Sequence, residues 1–193
     1  MINFLGYLGY KRKAMNAHGL HSPLVYDLYT DILADKKEFY DFQHIEQLSK
    51  KKGDFQAKEA QLLYQLLNKY KLKKGVIIGT GKESMKSILK TIAQDIAIQF
   101  DYHPEEKYDF IHFTTDCTPS DINKTSLIAQ LSNIQFISIS NPHGEKNRNR
   151  LWKELVSHTN VRVTIDLWSM GLCFPNNNQR KQHFTLQNKH FQF

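Results

Sequence analysis

Apolar residues recur with two different periodicities along this chain. Up to about residue 55 they return at helical spacing, in segments separated by turns. From residue 56 onward, segments with helical spacing alternate with short apolar runs, which are typical of buried strands. The alternation predicts a Rossmann-like α/β domain over residues 56–188, with a mainly parallel sheet and helices on both faces. Residues 1–55 are predicted to form an N-terminal helical extension, and residues 189–193 a loose tail.

Helices are predicted where apolar residues lie three and four positions apart. The N-terminus is interpreted as an amphipathic helix, and packing on the domain is favoured over attachment to a membrane surface. A second helix over 24–33 follows Ser22, which can cap backbone N–H groups, and Pro23, which has no N–H to lose. Further helices are predicted over residues 41–51, 56–70, 83–93, 119–131 and 145–157.

Strands are predicted from short runs of β-branched and aromatic residues. Five of them fall at residues 75–78, 96–101, 108–114, 134–140 and 161–167. Residues 171–174 and 182–186 are predicted to be the arms of a closing hairpin, because Pro175 and three asparagines between them are typical of a turn. Such a hairpin makes the last strand antiparallel.

Composition limits the classes of function. The 193 residues suit one domain, 40% of them are hydrophobic, and no apolar run approaches the ~20 residues of a membrane span. Cys117 and Cys173 show neither metal-ligand spacing nor a disulfide framework, which favours a reducing cytoplasm. His18 and His21 are interpreted as structural, since no Cys, Asp or Glu nearby completes a metal site.

The net charge of +7 allows weak binding to anionic partners. The lysines and arginines are scattered, however, and no basic stripe is interleaved with aromatic residues that could stack on bases. A basic nucleic-acid-binding module is therefore the least favoured of the functions considered.

One glycine-bearing loop, VIIGTGKESMKS at residues 76–87, follows the first predicted strand. A phosphate-binding Walker loop is disfavoured, because Glu83 stands where that motif needs Ser or Thr. A dinucleotide loop is disfavoured because Ser84 replaces its third glycine. The remaining option is a cofactor lying across the carboxyl ends of the strands. Asp101, about 20 residues later, could then accept both hydroxyls of a ribose, or it could be a solvated turn residue.

Three stretches give the chain a family resemblance. They are KRKAMNAHGLHSPLVYDLYT at residues 11–30, VIIGTG at 76–81, and VRVTIDLWSMGLCF with KQHFTL at 161–174 and 181–186. In these stretches the chain resembles a group of class I S-adenosylmethionine-dependent methyltransferase-like proteins of Bacteroidetes-type bacteria. The resemblance spans nearly the whole chain and is most specific at its two ends.

The resemblance implies S-adenosylmethionine as the cofactor and no metal ion. The cofactor-binding residues would be Gly79, Thr80, Gly81 and Asp101. Asp101 falls on the ribose-binding acid of the family. Ile77 and Glu83 depart from the family pattern, which has an acid and a glycine at these positions. The charged side chain of Glu83 would stand where the backbone should approach the cofactor.

The later strand ends depart further from the family pattern. An acid often ends the fourth and fifth strands of such proteins, and Thr114 and Ser140 stand there instead. His143 is the only obvious candidate for a general base, and a turn histidine is the favoured interpretation because no partner for it is visible. The interval from Asp101 to Tyr108 is shorter than the roughly ten to twelve residues of a crossover. The family's third strand is therefore predicted to be missing.

Two methyltransferase-like functions remain open. The favoured one is a degenerate protein that keeps the scaffold for binding a small molecule or a protein without catalysis, because polar residues are lost at three strand ends. The alternative is an active small-molecule methyltransferase. The sequence predicts neither the methyl acceptor nor the oligomeric state.

Overall fold

A computed structural model describes residues 4–33, 45, 47, 57–79, 88–89, 93–115, 117, 131–175 and 178–187. Its helices, numbered in chain order over these residues, are α1 at Phe4–Lys13, α2 at Pro23–Leu28, α3 at Ala57–Tyr70 and α4 at Lys146–Ser157. A π-helical turn at Tyr29–Leu33 continues α2, and short 3-10 turns lie at Ala17–Gly19 and Leu131–Asn133. No helix in this described part is long and apolar enough to cross a membrane.

The described strands form one seven-stranded sheet in the order β2-β1-β3-β4-β6-β5-β7. They are β1 at Lys74–Ile78, β2 at Ala97–Gln99, β3 at Phe110–Phe113, β4 at Phe136–Ser140, β5 at Val163–Asp166, β6 at Met170–Phe174 and β7 at Gln182–Thr185. Strand β6 is antiparallel to its neighbours β4 and β5, and every other pair of neighbours is parallel. The mainly parallel sheet with an antiparallel strand near the C-terminus is confirmed.

The order of the strands reverses at β1. After β1 the chain adds β2 on one side, and it then crosses back to add β3 on the other side. Ligands of open α/β sheets bind at such a reversal, outside the carboxyl ends of the strands. We call the end of the sheet where β1 to β5 and β7 end, and where β6 begins, the carboxyl edge. The name refers to the ends of the strands and not to the outermost strands. The arrangement is Rossmann-like, as predicted.

The predicted absence of the family's third strand is confirmed. Every residue between β2 and β3 is described, and the chain makes only turns there. Strand β2 consequently lies at the outer edge of the described sheet.

The predicted closing hairpin is wrong. Strand β6 forms its hairpin with β5, and β7 lies parallel to β5 on the other side. The tight turn is a two-residue loop of Trp168 and Ser169, closed by a bond from the Leu167 N–H to the Met170 carbonyl at 2.9 Å. Trp168, the first loop residue, is not a typical turn residue, whereas the Pro-Asn stretch that resembles a turn joins two strands that do not pair.

Different helices cover the two faces of the sheet, as predicted. On one face, the apolar core joins helix α3 to strand aromatics, through Leu62, Leu63, Leu66, Leu67, Phe110, Phe136 and Phe174. On the other face it joins helix α4 to the sheet, through Leu151, Trp152, Leu155, Ile137, Ile139 and Cys173. The sequence separates these two cores because alternate strand residues point to opposite faces.

The N-terminal segment is attached to the outer strand of the sheet. Met15 forms a single parallel bridge with Leu186. The Met15 N–H donates to the Thr185 carbonyl at 2.8 Å, and the Gln187 N–H donates to the Met15 carbonyl at 2.9 Å. The hydroxyl of Tyr10 donates to the carbonyl of Leu186. Helix α1 therefore packs on the domain.

The predicted hydrogen bond of Ser22 is wrong. Ser22 holds the N-cap position and Pro23 begins α2, but the Ser22 hydroxyl caps no backbone N–H. It donates instead to the side-chain oxygen of Gln179, which is 157 residues away. The buried hydroxyl therefore joins α2 to the loop before β7, a long-range contact that local sequence does not encode.

Several predictions lie outside the described residues. The helices over 41–51, 83–93 and 119–131 fall largely there, and so do Thr80, Gly81 and Glu83 of the glycine-bearing loop.

Candidate functional site

Candidate site residues follow several of the parallel strands at the carboxyl edge. Gly79 follows β1 and Thr114 follows β3. Asp101 comes two residues after β2, and His143 comes three residues after β4. Asp166 is the last residue of β5. Because these strands all run in one direction, the sheet places the five residues on the same side of the domain.

Gly79 has a packing reason to be glycine. Its φ is +119°, a conformation that residues with a side chain rarely adopt. A methyl group there would collide with Thr114 Oγ1 and would lie 3.0 Å from the Cys117 nitrogen. Thr114 is held in place because its N–H and its hydroxyl both donate to the Ile78 carbonyl, at 2.9 and 3.2 Å. The backbone therefore bends at Gly79, directly after β1.

Asp101 follows the outer strand β2. The last paired residue of β2, Gln99, lies beside Val76 of β1, and Asp101 comes two residues later. Its side chain is exposed. The carboxylate therefore lies beyond the carboxyl end of the strand next to β1.

His143 and Asp166 form a hydrogen-bonded pair at the carboxyl edge. Nε2 of His143 lies 2.7 Å from Oδ2 of Asp166. The pair spans the start of β6, since β6 lies between β4 and β5 in the sheet. The His143 side chain is 22% exposed and the Asp166 side chain 9% exposed. Solvent therefore reaches the imidazole more readily than the carboxylate that holds it.

This pairing determines which nitrogen of His143 can act as a base. A carboxylate only accepts hydrogen bonds, so Nε2 carries the proton and Nδ1 keeps its lone pair. Within the described part of the chain, Nε2 is the only ring nitrogen of His143 with a hydrogen-bond partner. A histidine oriented by a carboxylate through one nitrogen, with the other open, has the arrangement of a general base.

The sequence shows His143 but not its partner. His143 does lie in a turn, as expected, yet Asp166 is 23 residues away and meets it only because of the order of β4, β6 and β5. The one signal that could have identified Asp166 is its place near the end of a predicted strand. Acids at the carboxyl ends of parallel strands are common site residues.

Trp168 lies against the ring of His143. The two ring centroids are 4.5 Å apart and the planes are inclined by 16°. The Trp168 N–H donates to Oδ1 of Asp166 at 2.8 Å, so both members of the pair contact this residue. Tyr7 and Tyr10 of α1 pack on the indole, with centroid distances of 5.2 and 5.5 Å.

A row of buried polar side chains lies below the carboxyl edge, on the face covered by α3. His112 of β3 is level with Ser138 of β4, and its Nδ1 lies 2.8 Å from Ser138 Oγ. Its Nε2 lies 3.4 Å from Oγ of Ser140, which donates to Oε2 of Glu59 at 3.3 Å. The row therefore connects β3, β4 and the first turn of α3.

Burial shifts the pKa of both ionisable members of this row. It raises the pKa of Glu59 from 4.5 to about 8, although the Ser140 hydrogen bond and the charge of Arg148 act in the opposite direction. It lowers the pKa of His112 from 6.5 to about 3. At neutral pH the row therefore holds an uncharged imidazole and a mostly protonated carboxyl group, the forms that a low-dielectric site favours. This row is not predictable from sequence, because its members lie far apart along the chain and meet only in the folded protein.

Arg148 places a buried positive charge at the start of α4. Its Nε donates to the carbonyl of Asn141 at 3.2 Å, and its Nη1 is buried and has no hydrogen-bond partner among the described residues. The carboxylate of Glu145 lies 3.9 Å from Nη1. Gly144 leaves room for the guanidinium, since a methyl group there would come within 2.7 Å of Nη2.

Ile77 stands at the position where the sequence resemblance implies an acid. Its side chain is completely buried in the core on the α3 face.

The other candidate residues from the sequence are two cysteines, of which Cys117 lies beside Gly79, and two histidines. Cys117 and Cys173 are both buried, and burial raises the pKa of the Cys173 thiol. His18 and His21 are exposed. Across the described ranges, no three His, Cys, Asp or Glu side chains lie close enough to hold a metal ion.

No protein-family model and no curated protein matches the chain. Solved structures that it resembles include the O-methyltransferase TomG of Streptomyces achromogenes in complex with S-adenosylmethionine, with 14% identity, a TM-score of 0.45, and coverage of 92% of this chain and 100% of that one. An O-methyltransferase of Bacillus cereus in complex with S-adenosylhomocysteine has 11% identity, a TM-score of 0.43, and coverage of 86% and 99%. A methyltransferase of Podospora anserina bound to S-adenosylhomocysteine has 9% identity, a TM-score of 0.45, and coverage of 82% and 97%.

Proposed function

We propose that the protein is an S-adenosylmethionine-dependent methyltransferase-like protein that methylates a small molecule, with His143 as the general base. The observation that carries the proposal is the His143–Asp166 pair at the carboxyl edge. It supplies the partner whose absence from the sequence favoured a turn histidine at this position. The Rossmann-like strand order and the sequence resemblance at both ends of the chain support the same function.

The proposed cofactor is supported by the residues at the reversal of the strand order. Asp101 presents an exposed carboxylate beyond the end of β2, the strand next to β1, and a carboxylate can accept both hydroxyls of a ribose. Gly79 provides the bend after β1 without a side chain that could block a ligand. The chemistry of these two residues fits the nucleoside part of the cofactor.

The pair would contribute proton transfer to the reaction. When bound, S-adenosylmethionine supplies an electrophilic methyl group. Nδ1 of His143 would take the proton from the hydroxyl or amine that is methylated, and Asp166 would stabilise the imidazolium that forms. General-base catalysis of this kind contributes about 10²–10⁴-fold to a rate.

Cofactor binding is tested by calorimetric titration with S-adenosylmethionine and S-adenosylhomocysteine. We expect the wild-type chain to bind both, and Asp101→Asn to bind at least about tenfold more weakly, because a lost charge-assisted hydrogen bond is worth about 1.5–3 kcal/mol. Glu105→Gln removes another exposed carboxylate from the same segment and is the matched control. The absence of binding by the wild-type chain at millimolar ligand would contradict the proposal.

Methyl transfer is tested with labelled S-adenosylmethionine and a panel of small molecules that carry hydroxyl, carboxyl or amine groups. We expect His143→Gln to lower the rate by about 10²–10⁴-fold and leave cofactor binding unchanged, with Asp166→Asn acting in the same direction. His21→Gln removes an exposed imidazole outside the pair and is the control. Equal rates in His143→Gln and the wild type would remove the general-base role.

A scaffold that binds without catalysis is the second candidate function. Its specific support is Ile77, which is buried in the core where the sequence resemblance implies an acid. Under this candidate the chain binds the nucleoside cofactor or a partner, and no member of the panel is methylated. Methyl transfer that disappears in Asp101→Asn would eliminate it.

A further inference from the structure

Trp168 has a backbone conformation that is unusual for tryptophan. Its φ is +67°, and it is the first of the two residues in the turn from β5 to β6. A positive φ at the first position of a two-residue hairpin loop normally belongs to glycine. Strain of this kind persists where the surrounding structure enforces it, and it is concentrated at functional sites. The side chain of Trp168 is therefore expected to have a role that glycine could not fill.

Trp168 contacts both members of the His143–Asp166 pair through different groups. Its backbone N–H donates to Oδ1 of Asp166 at 2.8 Å, while His143 occupies Oδ2 at 2.7 Å. Two bonds to the two oxygens fix the plane of the carboxylate. The indole ring lies nearly parallel to the imidazole at a centroid distance of 4.5 Å, and this contact limits rotation of the imidazole.

Helix α1 packs on the same indole ring. Tyr7 meets it at an interplanar angle of 61° and Tyr10 at 48°. The two tyrosines stack on each other at 6.0 Å, and the Tyr10 hydroxyl donates to the Leu186 carbonyl beyond β7. Burial raises the pKa of Tyr10, so its hydroxyl remains a donor. These contacts help to leave Trp168 only 8% exposed.

We propose that Trp168 is a positioning residue for the His143–Asp166 pair, and that α1 holds Trp168 in place through Tyr7 and Tyr10. The inference rests on the proposed function of the pair as a general base. It gives the N-terminal helical extension a part in the reaction, because the helix acts on the base through the indole without contacting a substrate. Tryptophan rather than glycine occupies this turn position because the indole ring is needed there.

The tautomer of His143 tests the positioning role without any substrate. Nitrogen–proton correlation spectra of the imidazole distinguish a proton on Nε2 from a proton on Nδ1. We expect the wild-type chain to show the Nε2–H form alone, and Trp168→Gly to show both forms in exchange. Glycine keeps the backbone N–H and adopts positive φ without strain, so this variant removes the ring and preserves the turn. A single Nε2–H form in Trp168→Gly would overturn the proposal.

Two further variants separate the role of the ring from a general loss of packing. Trp168→Phe keeps an aromatic ring beside His143 and is expected to restore the single tautomer. Trp152→Phe alters the other tryptophan of the chain, which is buried beside Gly171, and is expected to leave the His143 spectrum unchanged. A mixture of tautomers in Trp152→Phe as large as that in Trp168→Gly would overturn the specific role of Trp168.

The role of α1 is tested by a double variant, Tyr7→Leu with Tyr10→Leu, which removes both rings from the indole. We expect it to reproduce the tautomer mixture of Trp168→Gly. Tyr10→Phe keeps the ring and removes only the hydrogen bond to Leu186, so it is expected to have a smaller effect. A wild-type spectrum in the double variant would remove α1 from the proposal.

Kinetics separates this inference from the proposed function. With any acceptor found in the transfer assay, we expect Trp168→Gly to lower kcat by about 10–100-fold, because small misplacements of a reacting group cost rates of that order. KM for S-adenosylmethionine should not change, and a change in that KM with kcat intact would overturn the positioning role. If the wild-type chain transfers no methyl group, the proposed function fails, and the tautomer spectra still decide the role of Trp168.

Discussion

Ser140 and Glu59 meet below the carboxyl edge, where the Ser140 hydroxyl donates to Oε2 of Glu59 at 3.3 Å. Both side chains are buried, and the contact joins the end of β4 to the first turn of α3. The pKa of the Glu59 carboxyl group is raised to about 8, so this group keeps its proton below about that pH. Its protonation is consequently linked to the folding of the chain.

Replacing Glu59 with glutamine should remove a pH dependence of stability. The folded-state pKa of about 8 lies above the ordinary 4.5, so the unfolded chain loses the proton first and wild-type stability falls as the pH rises between these values. At about 1.4 kcal/mol per pH unit, the wild-type free energy of unfolding should fall by up to about 4 kcal/mol between about pH 4.5 and 7.5, relative to Glu59→Gln. Urea unfolding of both chains over this range measures the difference.

Glu106 provides a control in which stability should change with pH in the opposite direction. A hydrogen bond from the Lys74 side chain is the main cause that lowers the pKa of Glu106. The stability that this carboxylate contributes is present above its ordinary pKa and is lost as the pH falls. Glu106→Gln should therefore be less stable than the wild type at neutral pH and approach it in acid. If the difference in the free energy of unfolding between Glu59→Gln and the wild type does not vary with pH, the raised pKa of Glu59 is contradicted.

Acid should destabilise the chain through His112. Because the pKa of about 3 in the folded chain lies below the ordinary 6.5, the unfolded chain binds the proton first as the pH falls. His112→Phe should be less stable than the wild type near neutral pH, since Ser138 loses a buried partner. That deficit in the free energy of unfolding should narrow by up to about 3 kcal/mol between about pH 6.5 and 4.5. Unfolding titrations at both pH values test this, and the exposed His21→Gln should show no such narrowing.

Two glycine substitutions should act in opposite directions. Gly79→Ala places a methyl group against Thr114 in a backbone conformation with φ of +119°, so it should lower the free energy of unfolding by at least about 1–3 kcal/mol. Gly9→Ala lies within helix α1, where a methyl group meets nothing within 4 Å. It should raise the free energy of unfolding by about 0.5–1 kcal/mol. Thermal and urea unfolding measure both, and a stabilising Gly79→Ala would show that the turn after β1 is not as described.

Arg148→Met should move the pH dependence that Glu59 causes. The positive charge of Arg148 lowers the Glu59 pKa, so its removal should extend the loss of stability to higher pH. The substitution also removes the bond from Nε to the Asn141 carbonyl, which should lower the free energy of unfolding by about 1.5–3 kcal/mol at every pH. Arg148→Lys keeps the charge and should retain the wild-type midpoint. Identical pH profiles for Arg148→Met and the wild type would show that the two groups do not interact.

The succession of helices and strands and the mainly parallel sheet followed from the sequence because local properties determine them. Continuous apolar runs, such as Val76 to Ile78, identify strands that are buried on both faces, and the helices between them require parallel connections. The missing strand was predictable because the interval from Asp101 to Tyr108 is too short for a crossover. The pairing of β7 was not predictable, because the hairpin turn at Trp168 uses a residue that resists the required conformation.

The candidate site likewise contains residues that the sequence predicts and residues that it does not predict. Gly79 and Asp101 were found from local motifs, since a turn after one strand and an acid after the next have a known meaning in such folds. Asp166 and Glu59 were not found, because each meets its partner across the fold, over 23 and 81 residues of sequence. Polar residues inside strands, such as His112, give no sign of which neighbour will satisfy them.

The bridge between Met15 and Leu186 covers the outer strand β7 of the sheet. A parallel strand at an edge exposes unpaired N–H and C=O groups and is a template on which another extended chain can add. At β7 the chain's own N-terminal segment takes that place, because Met15 bonds to Thr185 and Gln187 on either side of Leu186. A chain shortened beyond Met15 would leave this edge open and would tend to aggregate through it.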